Sequence, residues 1–363
     1  MISAVEGILS ILQNGRSTGT NKFGLLLALI DLAPQVDTER PTIQQRDLAL
    51  KLIEIHWDHG RHYGDSNSPL RQVAPRNRRN TQVLIQVDRL RALTRSDSPR
   101  FERAIVDLSQ GEWDKSLTEV REFTRKNALG RLQYLGSGQA APFLFHPVAG
   151  SEPVHLLPGV AEQLTTHGPL LRTLVEARFV EQIMIMNRDV FEQVRLHDFL
   201  FGDSRHMPNA DYRKALLDLQ GGRCIYSGRP LSAKTNGLRT AMDHVLAWSR
   251  VRLSVTQNLV LTTASLNTSK RELLLDPVSL EAWLDHLNDH WSDLDGLGVT
   301  FGWPSDIKRT VLIARGLYAN VPEGTDLWSP QGVTWLDSPT REKCLDLLGF
   351  RFAWDASRPL VLG

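Results

Sequence analysis

Apolar residues recur along this chain at helical spacing far more often than in strict alternation, and the pattern predicts a mainly helical protein. Leu25, Leu26, Leu27, Leu29, Ile30 and Leu32 form a run that is apolar on nearly every side, as expected of a buried helix. A second helix is predicted over Thr42–Ile55, entered from Pro41. A third covers residues 80–95, with Val83, Leu84, Val87, Leu90 and Leu93 at its apolar positions, and residues 101–137 hold two more. The stretch GSGQAAPFLFHPVAG reads as a loop with a short extended piece. One long helix is then expected over residues 168–200, starting from Pro169.

The polar stretch GDSRHMPNA, residues 202–210, breaks this pattern. It marks the expected boundary between a mainly helical domain, 1–200, and a C-terminal domain, 201–363. Beyond it, short apolar runs at Cys224–Tyr226, Met242–Val245 and Leu259–Thr262 predict strands, with a turn at Ser227–Pro230. A short helix is expected from Ser265 to Leu274, then helices at 279–291 and 304–320, and finally a loop-rich, tryptophan-containing tail. The fold class is therefore α+β, mainly α.

Length and composition narrow the class further. A chain of 363 residues with 41% hydrophobic positions can bury two cores, and it is neither collagen-like, disordered nor a disulfide framework. Cys224 and Cys344 are its only cysteines, which suits a reducing cytosol. With no basic leader, and with its apolar run near residue 30 interrupted by an acid, the chain is expected to be cytoplasmic and not inserted in a membrane. Phosphate-loop, nucleophile-elbow and dinucleotide-binding signatures are lacking.

Charge changes the picture only when it is resolved along the chain. Lys plus Arg total 42 and Asp plus Glu 41, so a uniformly basic nucleic-acid coat is excluded. Yet residues 61–100 carry nine Arg and no Lys, opposed only by Asp65, Asp88 and Asp97. This run is either a solvated helical face with a loop or a phosphate-binding surface. On the second reading Arg76, Arg78 and Arg79 are the DNA-binding candidates, because the guanidinium fork grips phosphate oxygens.

The candidate chemistry lies within residues 221–277. Asp243 offers a hard anionic oxygen and Asn267 a neutral one, a pair suited to Mg²⁺ (or Mn²⁺) that keeps several waters. His244, on the opposite side of an extended backbone from Asp243, suits a general base that takes a proton from an attacking water. Asn258 returns after a loop, either to hold that imidazole or to cap the loop. Lys270, one helical turn after Asn267, is a candidate phosphate contact.

The order Asp243-His244, Asn258 within NLVL, and Asn267 within LNTSK resembles the HNH nuclease family. Cys224-Ile-Tyr-Ser-Gly228 and Trp248-Ser249 extend the likeness. The resemblance implies a ββα-metal core that hydrolyses DNA phosphodiester bonds, with Asp243 and Asn267 as ligands, His244 as base and Asn258 as its orienting partner. Many members hold a structural zinc with two CxxC pairs. Here Ser227 stands where the second thiol of the first pair would be, and the other pair is missing, so no structural zinc is expected. Packing of Tyr226, Leu231, Trp248 and Leu261 should stabilise the core instead. The N-terminal region is similar to helical extensions of bacterial HNH proteins linked to restriction or phage defence, which implies partner proteins of such a system.

One metal and one base cut one strand, so double-strand cleavage needs a homodimer or two successive nicks. Two rival readings stay open: an inactive DNA-binding or assembly protein, and an RNA nuclease. His56, His59 and His62 could form a metal or phosphate site but read better as a surface or helix-end group. His286 and His290 read as packing or solvent-exposed residues, since HLNDH lacks the glutamate of an HExxH helix.

Overall fold

Dense apolar runs punctuated by Gly, Pro and Asx residues make this chain mostly helix, with strands only where distant segments pair. The computed structural model describes residues 2–14, 19–36, 40–63, 69–73, 80–94, 100–135, 139–140, 142–187, 193–202, 207–231 and 240–350. Among these, helices predominate over four small sheets of two or three strands, none of them closed. The chain divides into two compact units, Met1–Ser204 and Arg205–Gly363, each with its own hydrophobic core.

In the first unit, helix Asn21–Leu32 is buried from Phe23 to Leu32, as its all-round apolar sequence requires. Helices Gln45–His56 and Val160–Met186 pack against it. Gly24 permits a close approach: a Cβ there would lie 2.6 Å from Cε1 of His56. This crowded centre also encloses charge. Arg172 binds both Asp31 and Glu176, all three at or below 8% exposure, and Lys51 pairs with Glu54 at 2.7 Å.

The long helix departs from the expected 168–200. It starts at Val160, carries Pro169 inside and ends at Met186, and Gln193–Phe201 is a separate helix. Pro169 does not start the helix because the residues before it already present an apolar face, with Val160, Ala161, Leu164 and Gly168 buried. Burial of that face compensates the backbone hydrogen bond that an interior proline removes.

Of the three histidines read as a surface or helix-end group, His62 is exposed and His56 ends the helix Gln45–His56, but His56 and His59 do not lie on the surface. His56 and His59 are fully buried, with ring centroids 5.0 Å apart, and both pack against Phe179. His56 Nδ1 meets the Leu52 carbonyl, and His59 lies between the Leu200 carbonyl and Gln72. Burial keeps both imidazoles neutral, lowering His56 to about 4 and His59 well below its ordinary value.

Several arginines of the 61–100 run are spent inside this unit. Arg61 donates to the Phe199 carbonyl and lies over the Phe199 ring. Arg89 binds Glu112 and Ser116, and Arg91 stacks on Trp57 and donates to its carbonyl. Arg76, Arg78 and Arg79 lie outside the described residues.

The second unit sets a small strand pair among helices Ala210–Leu219, Pro277–Asp289, Trp291–Phe301, Ile307–Asn320 and Ser338–Phe350. Three expectations are corrected. Cys224–Tyr226 is a tight turn, not a strand, closed by Cys224 N–H to the Arg229 carbonyl and Gly228 N–H to the Cys224 carbonyl. The helix expected to reach Leu274 stops at Lys270, because Leu274–Leu275 pairs in parallel with Leu327–Trp328. The expected loop-rich tail holds a hairpin, Asp326–Ser329 with Gly332–Trp335, and the helix Ser338–Phe350. Among the described residues no helix is long and apolar enough to cross a membrane.

Candidate functional site

β-Branched and aliphatic side chains make Leu259–Thr263 a fully buried strand. It pairs antiparallel with Thr240–His244, in a register that sets Asp243 opposite Val260 and His244 opposite Leu259. The outer edge of Leu259–Thr263 is clamped by the Gln220 side chain, which accepts from the Leu261 N–H at 2.7 Å and donates to its carbonyl at 2.9 Å. Thr263 then caps the next helix, accepting from the Leu266 N–H, so strand passes into helix Ala264–Lys270 with no intervening loop.

This hairpin and helix bring Asp243 and Lys270 together. The Asp243 carboxylate, 4% exposed, accepts from the Tyr226 hydroxyl at 2.7 Å and pairs with Lys270 Nζ at 3.1 Å. Lys270 is 0% exposed and also donates to the His244 carbonyl at 2.8 Å. The lysine expected at a surface phosphate thus points inward. Burial, with the Asp243 charge and hydrogen bond, holds the Tyr226 phenol well above its ordinary range, so it is a permanent donor at neutral pH.

Successive side chains on a strand face opposite ways, and His244 accordingly has different surroundings from Asp243. Its imidazole is 1% exposed and lies against Trp248, with ring centroids 5.4 Å apart. Trp248 itself is half-buried and outside the core that holds Tyr226, Leu231 and Leu261.

Asn258 serves the loop between the strands. Its Oδ1 accepts from the Leu246 N–H at 2.7 Å, and its Nδ2 donates to the carbonyls of Leu246 and Leu253 at 3.0 and 2.9 Å. The fully buried amide therefore locks the chain just after His244, and its contacts are with the Leu246 and Leu253 backbone, not the imidazole. Neighbouring Gln257 anchors the same loop from outside, reaching Asp295, Ser305 and the Asp306 N–H. Asn267 is half-buried on the helix, one turn before Lys270 and on the same side of it.

The Cys224 turn packs on the strand pair, its sulfur 3.2 Å from the Thr262 hydroxyl. Burial raises the thiol, but hydrogen bonds from Ser227, Thr262 and the turn's backbone outweigh it and leave the thiol below its ordinary range. Among the described residues, no three His, Cys, Asp or Glu side chains converge as a metal-holding group.

Sequence reasoning placed Tyr226 in the packing and missed its hydroxyl contact with Asp243, and it missed Gln220 and Gln257 altogether. Gln220 stands before a Gly-Gly pair and Gln257 between Thr256 and Asn258, so neither position marks itself in the sequence. Comparison with family models, with curated proteins and with solved structures returns no match for the chain.

Proposed function

We propose that the unit Arg205–Gly363 is an HNH-type ββα-metal module, a metal-dependent nuclease that hydrolyses DNA phosphodiester bonds by nicking one strand at a time. The observation that carries this reading is the placement of Asp243 and His244 on one strand of an antiparallel pair that runs directly into the helix bearing Asn267 and Lys270. Asp243 and Asn267 would hold Mg²⁺ or Mn²⁺. What supports this is the chemistry of the donors: both offer hard oxygens, and the Asp243 carboxylate already accommodates a cationic ammonium at 3.1 Å. The metal, when bound, supplies Lewis-acid stabilisation of the charge on the phosphoryl and departing 3′ oxygens.

The chain's own residues do the rest. His244 accepts the proton of the attacking water on its imidazole, and a local opening must first expose a ring that is 1% accessible. Asn258 holds the loop that carries this base. Arg76, Arg78 and Arg79 grip the DNA backbone, and a role in phage defence with partner proteins follows from the family likeness.

The deep burial of His244 and the double engagement of Asp243 favour a second reading, a module that binds DNA without cutting it. A plasmid-nicking assay with Mg²⁺, Mn²⁺ and EDTA separates the two, with a single-stranded RNA arm for substrate class. Wild type should nick only with metal, and His244→Ala should lose roughly 10²-fold or more of the rate while still binding DNA. Equal rates for both proteins would rule out the assignment of His244. Binding without cleavage by the wild type would establish the second reading.

A further inference from the structure

The Lys270 ammonium stands where a bound divalent cation would have to be neutralised by Asp243. We propose that Lys270 is a built-in counter-ion that a divalent metal must displace from Asp243, so that metal binding is an exchange of one cation for another. The inference rests on the metal-dependent reading above.

A lysine in the last turn of a short helix is ordinarily solvated, its stem on the surface and its head in water. Lys270 is instead fully buried, with Nζ 3.1 Å from Asp243 Oδ2, 3.4 Å from Oδ1 and 2.8 Å from the His244 carbonyl. Burying an ammonium is tolerated only when it is paired and hydrogen-bonded, and these contacts supply both. With the Tyr226 hydroxyl on Oδ2 as well, the carboxylate is neutralised and satisfied before any metal arrives.

An ammonium and a divalent cation on the same carboxylate repel strongly in a site this dry. The metal therefore binds only as Nζ leaves, and its affinity is lowered by whatever the ammonium contributes. The chain next to Lys270 is suited to such movement. Arg271 follows with φ 51° and ψ −119°, a conformation unfavourable for any residue with a side chain, so this helix end stores strain that a rearrangement can release. Once displaced, Lys270 becomes available to a substrate phosphate, which it cannot reach while paired. The closed pair would thus keep the module silent until divalent metal is abundant.

Manganese binding followed by titration calorimetry and EPR on the full chain tests this in wild type, Lys270→Met and Asp243→Asn. Lys270→Met should bind Mn²⁺ about tenfold more tightly or better, and Asp243→Asn should not bind it. Equal affinities for wild type and Lys270→Met, with binding lost in Asp243→Asn, would overturn the exchange and leave the metal site standing. Absence of any Asp243-dependent Mn²⁺ binding would overturn the metal reading itself, and the inference with it. Lysine-acetylation footprinting of the wild type, which depends on no variant folding, should find Lys270 labelled about tenfold faster in excess Mg²⁺ than in EDTA. Unchanged labelling would overturn the exchange.

Discussion

Asp243 keeps a negative charge inside the fold, and its two donors stabilise it by different physics. Tyr226 contributes a hydrogen bond to a charged acceptor, whereas Lys270 removes the net charge. Tyr226→Phe should therefore cost about 1.5–3 kcal/mol of unit stability. Lys270→Met, which strands a buried carboxylate, should cost about 3–5 kcal/mol. Urea denaturation of the two variants measures both, and a larger loss for Tyr226→Phe would show that charge pairing is not what holds this site. Asn258→Ala should cost about 3 kcal/mol or more, because it leaves the Leu246 N–H and two carbonyls unsatisfied at a fully buried position. At this scale the sequence made residue types and their order legible: Asp243 and His244 adjacent, Asn258 and Asn267 at a fixed distance beyond. It could not say that Lys270 turns inward. A lysine in the last turn of a helix has several rotamers that reach water, and only the positions of Asp243 and the His244 carbonyl select the buried one.

Elements were legible where apolar periodicity is local and obscure where pairing is not. Helices Asn21–Leu32, Gln45–His56 and Gln82–Leu93 follow from their own residues, since each hydrogen bond and each buried face lies within one segment. Leu274–Leu275 reads as the end of a helix until Leu327–Trp328, some fifty residues later in the chain, offers it a strand partner. The same holds for the clamp on Leu259–Thr263. An unpaired strand edge exposes backbone groups that must be satisfied when buried, and here a side chain from the end of a distant helix does it. Gln220→Ala should leave the Leu261 N–H and carbonyl without this partner and weaken the strand pair by roughly 1–3 kcal/mol. Hydrogen exchange at Leu261 should accelerate while the helix Ile307–Asn320 stays protected. Unchanged exchange at Leu261 would mean that the Gln220 amide is not what protects this edge.

Across the whole molecule, near-neutral net charge conceals two units whose buried ionisable groups respond differently to acid. In unit Met1–Ser204, His56 has a folded pKa of about 4 against 6.5 in the unfolded chain, and His59 is shifted the same way. Between those values the unfolded state binds more protons, so stability is full near neutrality and falls as pH drops through about 6.5. His56 alone would remove ~3 kcal/mol by pH 4. Asp88, raised to about 6 chiefly by burial, works in the opposite sense, because its folded form takes up a proton first. Two fully buried imidazoles outweigh one half-buried carboxylate, and the net effect of acid on this unit is loss. In unit Arg205–Gly363 one histidine, His286, is depressed to about 4, and one raised carboxylate, Asp306, opposes it in direction. Two depressed, fully buried imidazoles in the first unit against one in the second mean that acid should loosen the helical unit before the strand pair that holds Asp243 and His244. Hydrogen exchange at about pH 7 and about pH 5, corrected for intrinsic rates, distinguishes the units because each reports its own opening free energy. Protection in Asn21–Leu32 and Gln45–His56 should fall well before protection in Leu259–Thr263. A parallel loss in both units would show that the buried His56–His59 pair does not set the acid limit, and a rise in the first would show that Asp88 outweighs the two imidazoles.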